Sequence, residues 1–219
     1  MLVLLSLLAP RPASAQSAPT IRTLYLVRHG FCDYQDRDDK VGNALLPLGR
    51  EQAALVGDRL ARFPIKFTAI TSSEFTRARE TGDIIAAKLG LPCSRDGSLN
   101  ECTPVGVGVA LKPEHADAEA QLARAWQHYA TPAAGAPSHE LLVCHGNVIR
   151  WFICRALGTD TKQWRQMDIA NCSITIIEIR PDGSTRLLLF NDVSHVPVEK
   201  QTWVGKGPAW PLPSQPTAK

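Results

Sequence analysis

The sequence predicts an α/β domain: a three-layer sandwich with a mostly parallel central sheet and helices on both faces. Three observations predict it. Apolar, β-rich runs at 24–27, 67–71 and 140–144 alternate with segments of helical spacing. Strands that alternate with helices bury a parallel sheet on both faces. Two final runs, 173–179 and 185–190, are joined by Pro181-Asp182-Gly183-Ser184, a turn signal that marks an antiparallel pair. At 219 residues, 44% hydrophobic and 21% charged, the chain can bury the core of one domain.

Each element has its own local reason. Leu24-Tyr25-Leu26-Val27 is a short continuous apolar run, as in a strand buried on both faces. Residues 47–62 open on Pro47 and carry Leu48, Ala53, Leu55, Val56 and Leu60 at helical spacing. Phe67-Thr68-Ala69-Ile70-Thr71 reads as a second strand. Residues 75–89 read as a helix closed by Gly90 and Pro92. Residues 93–113, rich in Gly and Pro, read as a long irregular loop, a kind that is usually functional or disordered. A helix is expected over 113–129. A third strand at 140–144 is followed by a helix over 147–157. The folded domain is expected over 22–198, with 199–219 a tail marked by Pro208, Pro211, Pro213 and Pro216.

The N-terminus reads as a separate segment. Leu2-Val3-Leu4-Leu5-Ser6-Leu7-Leu8 is apolar, and Ala13-Ser14-Ala15 resembles a cleavage site, so residues 1–15 read as a signal peptide. The run is too short to span a bilayer. The expected location is outside the cytoplasm, periplasmic or secreted; it is cytoplasmic if the run is not a signal peptide. Six cysteines include no C-x-x-C pair, which argues against a structural zinc site. Cys93 and Cys102 share a loop and are a candidate bridge, whereas Cys144 and Cys154 read as small core residues. A formal net charge of +3 leaves no footprint for nucleic acid or an anionic membrane surface.

The chemistry begins at Arg28-His29-Gly30, where the first strand runs out. Open α/β sheets bind ligands beyond the carboxyl ends of their strands. His145-Gly146 repeats the pattern at the end of another strand, and the amides of Gly146 and Asn147 open a helix, a ready anion site. Arg77, after Ser72-Ser73, belongs to the same edge. Two guanidiniums in one pocket repel unless a dianion neutralises them, and their planar forks suit phosphate oxygens. A neutral imidazole there can attack phosphorus, while the arginines, His145 and helix amides stabilise the equatorial oxygens. The leaving alkoxide needs a proton, and Glu101 in the long loop is the candidate donor. No metal and no cofactor is called for. The expected partner is a phosphorylated substrate, a small molecule or a phosphoprotein.

Taken together, Arg28-His29-Gly30, Leu48-Gly49-Arg50-Glu51-Gln52-Ala53, Ser72-Ser73 with Arg77-Ala78 and Glu80-Thr81, Glu101, and Cys144-His145-Gly146-Asn147 resemble the histidine phosphatase superfamily, the phosphoglycerate mutase-like fold. Asn147-Val148-Ile149-Arg150 and Ser173-Ile174-Thr175 look closer still to the mitochondrial protein serine/threonine phosphatases within it. The resemblance implies His29 as nucleophile, Arg28, Arg77 and His145 as phosphate ligands, Glu101 as proton donor and no metal. The compact core around Glu101 favours hydrolysis over phosphoryl return. Departures are Leu46 where the family has a threonine cap, Phe31-Cys32 after the glycine, and the charged stretch at 36–40.

Two rival readings remain at this level. Cys144 and Arg150 fit C-x5-R, the loop of cysteine-dependent phosphatases, with a thiolate nucleophile and an arginine clamp. A non-catalytic phosphate- or phosphopeptide-binding protein would keep the pocket without turnover. His195, after Asn191 and Asp192, reads as a loop residue near the rim, and His115, His128 and His139 carry no partner pattern.

Overall fold

The computed structural model describes residues 17–33, 42–108, 110–203 and 206–208. The expected signal peptide and the charged stretch at 36–40 lie outside the described residues, as does most of the expected tail.

Strand β1 (Arg22–Arg28) lies inside the main sheet. Parallel β4 (Ser138–Cys144) flanks it on one side, and antiparallel β5 (Ile174–Ile179) on the other. Strand β2 (Ala69–Ser72) pairs in parallel with β4, and β3 (Cys93–Arg95) in parallel with β2. Strand β6 (Thr185–Asp192) returns antiparallel on β5. The order is β3-β2-β4-β1-β5-β6, so the mostly parallel sheet with an antiparallel end stands as expected. Strand β3 falls where a loop was expected. Three residues of Cys-Ser-Arg carry no periodicity, and this edge strand is made by pairing with β2 alone.

Helices α1 (Pro47–Leu60) and α2 (Thr76–Leu89) cover one face; α3 (Pro113–Tyr129) and α4 (Gly146–Ala156) cover the other. The alternation of β1 sorts its side chains between them. Tyr25 and Val27 pack with Val56, Leu60 and Ile85, while Leu24 and Leu26 pack with Leu122, Ile149 and Phe152. Helix α2 closes on Gly90 at φ +66°, the left-handed conformation that glycine adopts without strain.

The register places the two histidines. Arg28 sits opposite Cys144 in the parallel β1–β4 ladder, and the His29 amide donates to the Cys144 carbonyl at 3.0 Å. His29 and His145 therefore leave the sheet side by side. Gly30 then passes the start of α1 so closely that a Cβ on it would stand 2.4 Å from the Gly49 carbonyl oxygen.

Packing runs on past residue 198. A short 3-10 turn (Val198–Lys200) leads into Gln201 and Thr202, both buried. This part of the expected tail is built into the domain. Cys93 and Cys102 each carry a free thiol, so the bridge that the sequence left open between them is not formed. Cys93 sits on β3, where its thiol takes a hydrogen bond from Arg95 instead. No described helix is long and apolar enough to cross a membrane.

Candidate active site

The carboxyl edge of β1, β2 and β4 gathers the residues that the sequence singles out. The His29 and His145 rings lie 5.2 Å apart, centroid to centroid, and both are buried. Arg77, from the first turn of α2, donates from Nε to His29 Nε2 at 3.2 Å. Arg28 is buried as well, and its Nη1 donates to the Ile169 carbonyl at 2.6 Å. That bond turns one edge of its guanidinium toward the backbone and fixes the group beside Gly146, where a Cβ would lie 3.7 Å from Arg28 Nε.

Hydrogen bonding assigns the tautomer of each imidazole. The Gly30 carbonyl can only accept, so His29 Nδ1, 2.8 Å away, carries the proton and donates. Nε2 is then the bare nitrogen, which agrees with its acceptance from Arg77. For His145 the chain is longer. The Glu74 amide donates to Asn100 Oδ1, so that atom is an oxygen, and Ser73 Oγ must donate to it at 2.9 Å. Ser73 Oγ therefore accepts from His145 Nε2 at 2.7 Å. His145 Nδ1 is left as the buried, unpartnered nitrogen.

Electrostatics keeps both rings neutral. Burial first, then Arg28, Arg77 and His145, holds the His29 pKa well below its ordinary value. Burial first, then Arg77 and Arg28, does the same for His145. Glu101 goes the other way. Burial pushes its carboxyl up, against the pull of Arg77, Arg28, Arg150 and the Asn147 amide. Its Oε1 is buried with no hydrogen-bond partner. A carboxyl shielded in this way can keep a proton at a pH where an exposed one cannot.

Helix α4 begins at Gly146, and its N-cap, His145, makes no side-chain cap bond. The first-turn amides therefore lie at the positive end of the helix dipole without an intrahelical partner. The Asn147 side chain is turned elsewhere. Its Nδ2 donates to the Cys102 carbonyl at 2.8 Å, and its Oδ1 accepts from Arg150. It pins the loop that carries Glu101.

The structure brings Arg28, His29, Arg77, Glu101, His145, Gly146 and Asn147 to one edge. His195 stands apart and donates from Nε2 to the Cys172 carbonyl at 2.9 Å. The cysteine reading loses its geometry. Cys144 lies in the core between the sheet, α3 and α4, and burial pushes its thiol far up, away from the thiolate that attack requires. Arg150 stacks 4.7 Å from the Trp164 ring centroid and donates to the Met167 carbonyl at 2.9 Å. Sequence reasoning gave no role to Ser73, Asn100 or Asn171. Ser73 was the reachable one, since it follows β2 on the same edge as Arg77.

Two neutral imidazoles flanked by guanidiniums, beside a raised carboxyl and a helix N-terminus, define a class of enzyme that handles phosphate monoesters. The chain belongs to the histidine phosphatase superfamily, branch 1, whose pattern matches residues 24–140 and 109–193. It is a phosphatase. It is similar to the Caenorhabditis elegans mitochondrial serine/threonine-protein phosphatase Pgam5, 39% identical over 196 residues, covering 84% of this chain and 68% of the relative. The human mitochondrial serine/threonine-protein phosphatase PGAM5 is 35% identical over 195 residues, covering 84% of this chain and 67% of that protein. Among solved structures, a Plasmodium falciparum phosphoglycerate mutase superposes with a TM-score of 0.59 at 28% identity, covering 82% of this chain and 96% of the other. Bacillus stearothermophilus YhfR reaches 0.67 at 21% identity, over 80% of this chain and 100% of the other, a likeness of fold. The expectation of a periplasmic or secreted protein is overturned, because these relatives are mitochondrial by name.

Proposed function

We propose that the protein hydrolyses phosphoserine and phosphothreonine in proteins, with His29 as the nucleophile that becomes a phosphohistidine. One observation carries the nucleophile: His29 Nε2 is the bare ring nitrogen, aimed at Arg77 Nε and held in that tautomer by the Gly30 carbonyl. The substrate class rests on the relatives at 35–40% identity, which are named as serine/threonine-protein phosphatases.

The steps follow from the residues. The phosphate dianion draws Arg77 off Nε2 and sits between Arg28, Arg77, the Gly146 and Asn147 amides, and His145. Nε2 forms a bond to phosphorus as the ester oxygen leaves, and Glu101 gives that oxygen its proton. The Glu101 carboxylate then takes a proton from water, whose oxygen attacks the phosphohistidine. Phosphate departs and His29 returns neutral. In both steps Arg28, Arg77 and the α4 amides face the charge developing on the equatorial oxygens, and His145 joins them as a donor once its Nδ1 is protonated.

The test is His29→Ala assayed on a phosphothreonine peptide and on p-nitrophenyl phosphate. The expected result is loss of both activities, together with loss of an acid-labile phosphoenzyme that wild type forms. Full hydrolysis by His29→Ala overturns the nucleophile. Hydrolysis of small esters by wild type with none of any phosphopeptide overturns the substrate class. Saturable phosphate binding with no turnover would make the chain a binding protein.

A further inference from the structure

The peptide units on either side of Gly30 are held from every direction. The first joins His29 to Gly30. Its carbonyl accepts from Asn171 Nδ2 at 2.9 Å, and its N–H donates to Thr81 Oγ1 at 3.0 Å. The second joins Gly30 to Phe31. Its carbonyl accepts from the His29 ring itself, and its N–H donates to Gln52 Oε1 at 3.0 Å. Gln52, Thr81, Asn171 and Thr202 are all at most 1% exposed.

Two of these clamps share an anchor from the far end of the chain. Thr202 Oγ1 donates to Asn171 Oδ1 at 2.8 Å and accepts from Gln52 Nε2 at 3.0 Å. The backbone locks the same contact, since the Asn171 amide donates to the Thr202 carbonyl at 3.0 Å. Gln52 Nε2 also donates to the Lys200 carbonyl at 2.6 Å. One hydroxyl therefore ties the side chain under the His29 carbonyl to the side chain under the Phe31 amide. Between those two points lies the Gly30 carbonyl that sets the His29 tautomer.

We propose that Thr202, through Asn171 and Gln52, is a positioning residue for the phosphate-accepting nitrogen of His29. This rests on His29 being the nucleophile. A buried network of this kind is stiff only when each member is satisfied. Removing the Thr202 hydroxyl leaves the Asn171 and Gln52 amides each short of one partner. Both peptide units can then rotate, and the Gly30 carbonyl with them. An attacking nitrogen displaced by about an ångström loses on the order of 10²-fold in rate. Arg77 is carried by α2, where Thr81 donates to its carbonyl at 2.7 Å, a hold that the Thr202 hydroxyl does not supply, so the deficit is expected in kcat.

The experiment compares Thr202→Val, which keeps the shape and removes the hydroxyl, with Thr202→Ser, which restores it. His29→Ala is the reference. Steady-state kinetics on p-nitrophenyl phosphate, single-turnover phosphoenzyme formation and the nitrogen-15 shifts of the His29 ring are read at a temperature where each variant is folded. The expected result for Thr202→Val is a kcat loss of about 10- to 100-fold. Its KM stays within about threefold, phosphoenzyme formation slows in step, and the His29 ring samples both tautomers. Thr202→Ser stays near wild type. If Thr202→Val does not fold, Thr202→Ala is read against the same expectations. Unchanged kcat in a folded hydroxyl-less variant overturns the proposal, as does a loss confined to KM or an equal loss in Thr202→Ser. Activity retained in His29→Ala would instead overturn the nucleophile, so the two failures are distinguishable.

Discussion

His145 shows how one ring nitrogen is committed in advance. Its Nε2 is spent on Ser73, so a phosphate oxygen meets Nδ1, which is bare in the neutral ring. It can serve as a donor only when protonated. The guanidiniums that disfavour that proton are the groups that a bound dianion neutralises. Binding of a dianion is therefore expected to be accompanied by proton uptake at His145. Calorimetry of tungstate binding in two buffers of different ionisation enthalpy measures it, and His145→Gln should abolish the uptake. Ser73→Ala frees Nε2, lets the ring turn and should lower kcat/KM about 10-fold, the equivalent of one hydrogen bond of about 1.4 kcal/mol. The same shifts bear on stability. Both histidines lie below 6.5 in the fold, so the unfolded chain binds more protons near that pH. Their contribution is present above 6.5 and is lost as pH falls through the folded values. Thermal melts should therefore move down steadily below pH 6.5, and less so in His145→Gln.

At the scale of elements, the start of α1 shows how a missing local signal is replaced from a distance. Leu46 occupies the N-cap with φ −72° and ψ 163° and offers no side-chain bond. Pro47 presets the first helical residue, and Glu80 of α2 accepts from the Leu45 amide at 2.7 Å while pairing with Arg50 at 2.6 Å. Leu46→Thr adds a hydroxyl where the backbone is already extended. It should stabilise the protein by about 1 kcal/mol in urea unfolding, with the slope unchanged. The helices were legible because their apolar spacing is local, and α3 matches its expected range of 113–129. So were Arg28, His29 and His145, since each closes an apolar run. Strand β3 was not, because its only reason is β2. Nor was the Thr202 network: Gln52 and Thr202 stand 150 residues apart, and no spacing rule joins a lone threonine to a helix glutamine.

The whole molecule divides its labour between the two sides of a single parallel ladder. Successive residues of β4 point to opposite faces, and the strand then delivers His145 beyond its end. Cys144 is the last inward residue before the site and faces the core of Leu24, Leu142 and Phe152. Its neighbour in sequence does chemistry, yet its own thiol is packed as a small hydrophobe and held neutral by burial. This predicts a separation of stability from activity that no cysteine mechanism allows. Cys144→Ser buries a hydroxyl among apolar neighbours and should cost about 1–3 kcal/mol. For a domain of this size each kcal/mol lowers the melting temperature by roughly 2–4 °C. The His145 edge is fixed by the ladder bond from the His29 amide to the residue-144 carbonyl, which serine retains. Hydrolysis of p-nitrophenyl phosphate by folded Cys144→Ser should therefore stay within about twofold of wild type, since the backbone and the donors of the transition state are unchanged. A thermal scan beside a kinetic assay reads both quantities. Loss of turnover without loss of stability would return the nucleophile to the thiol.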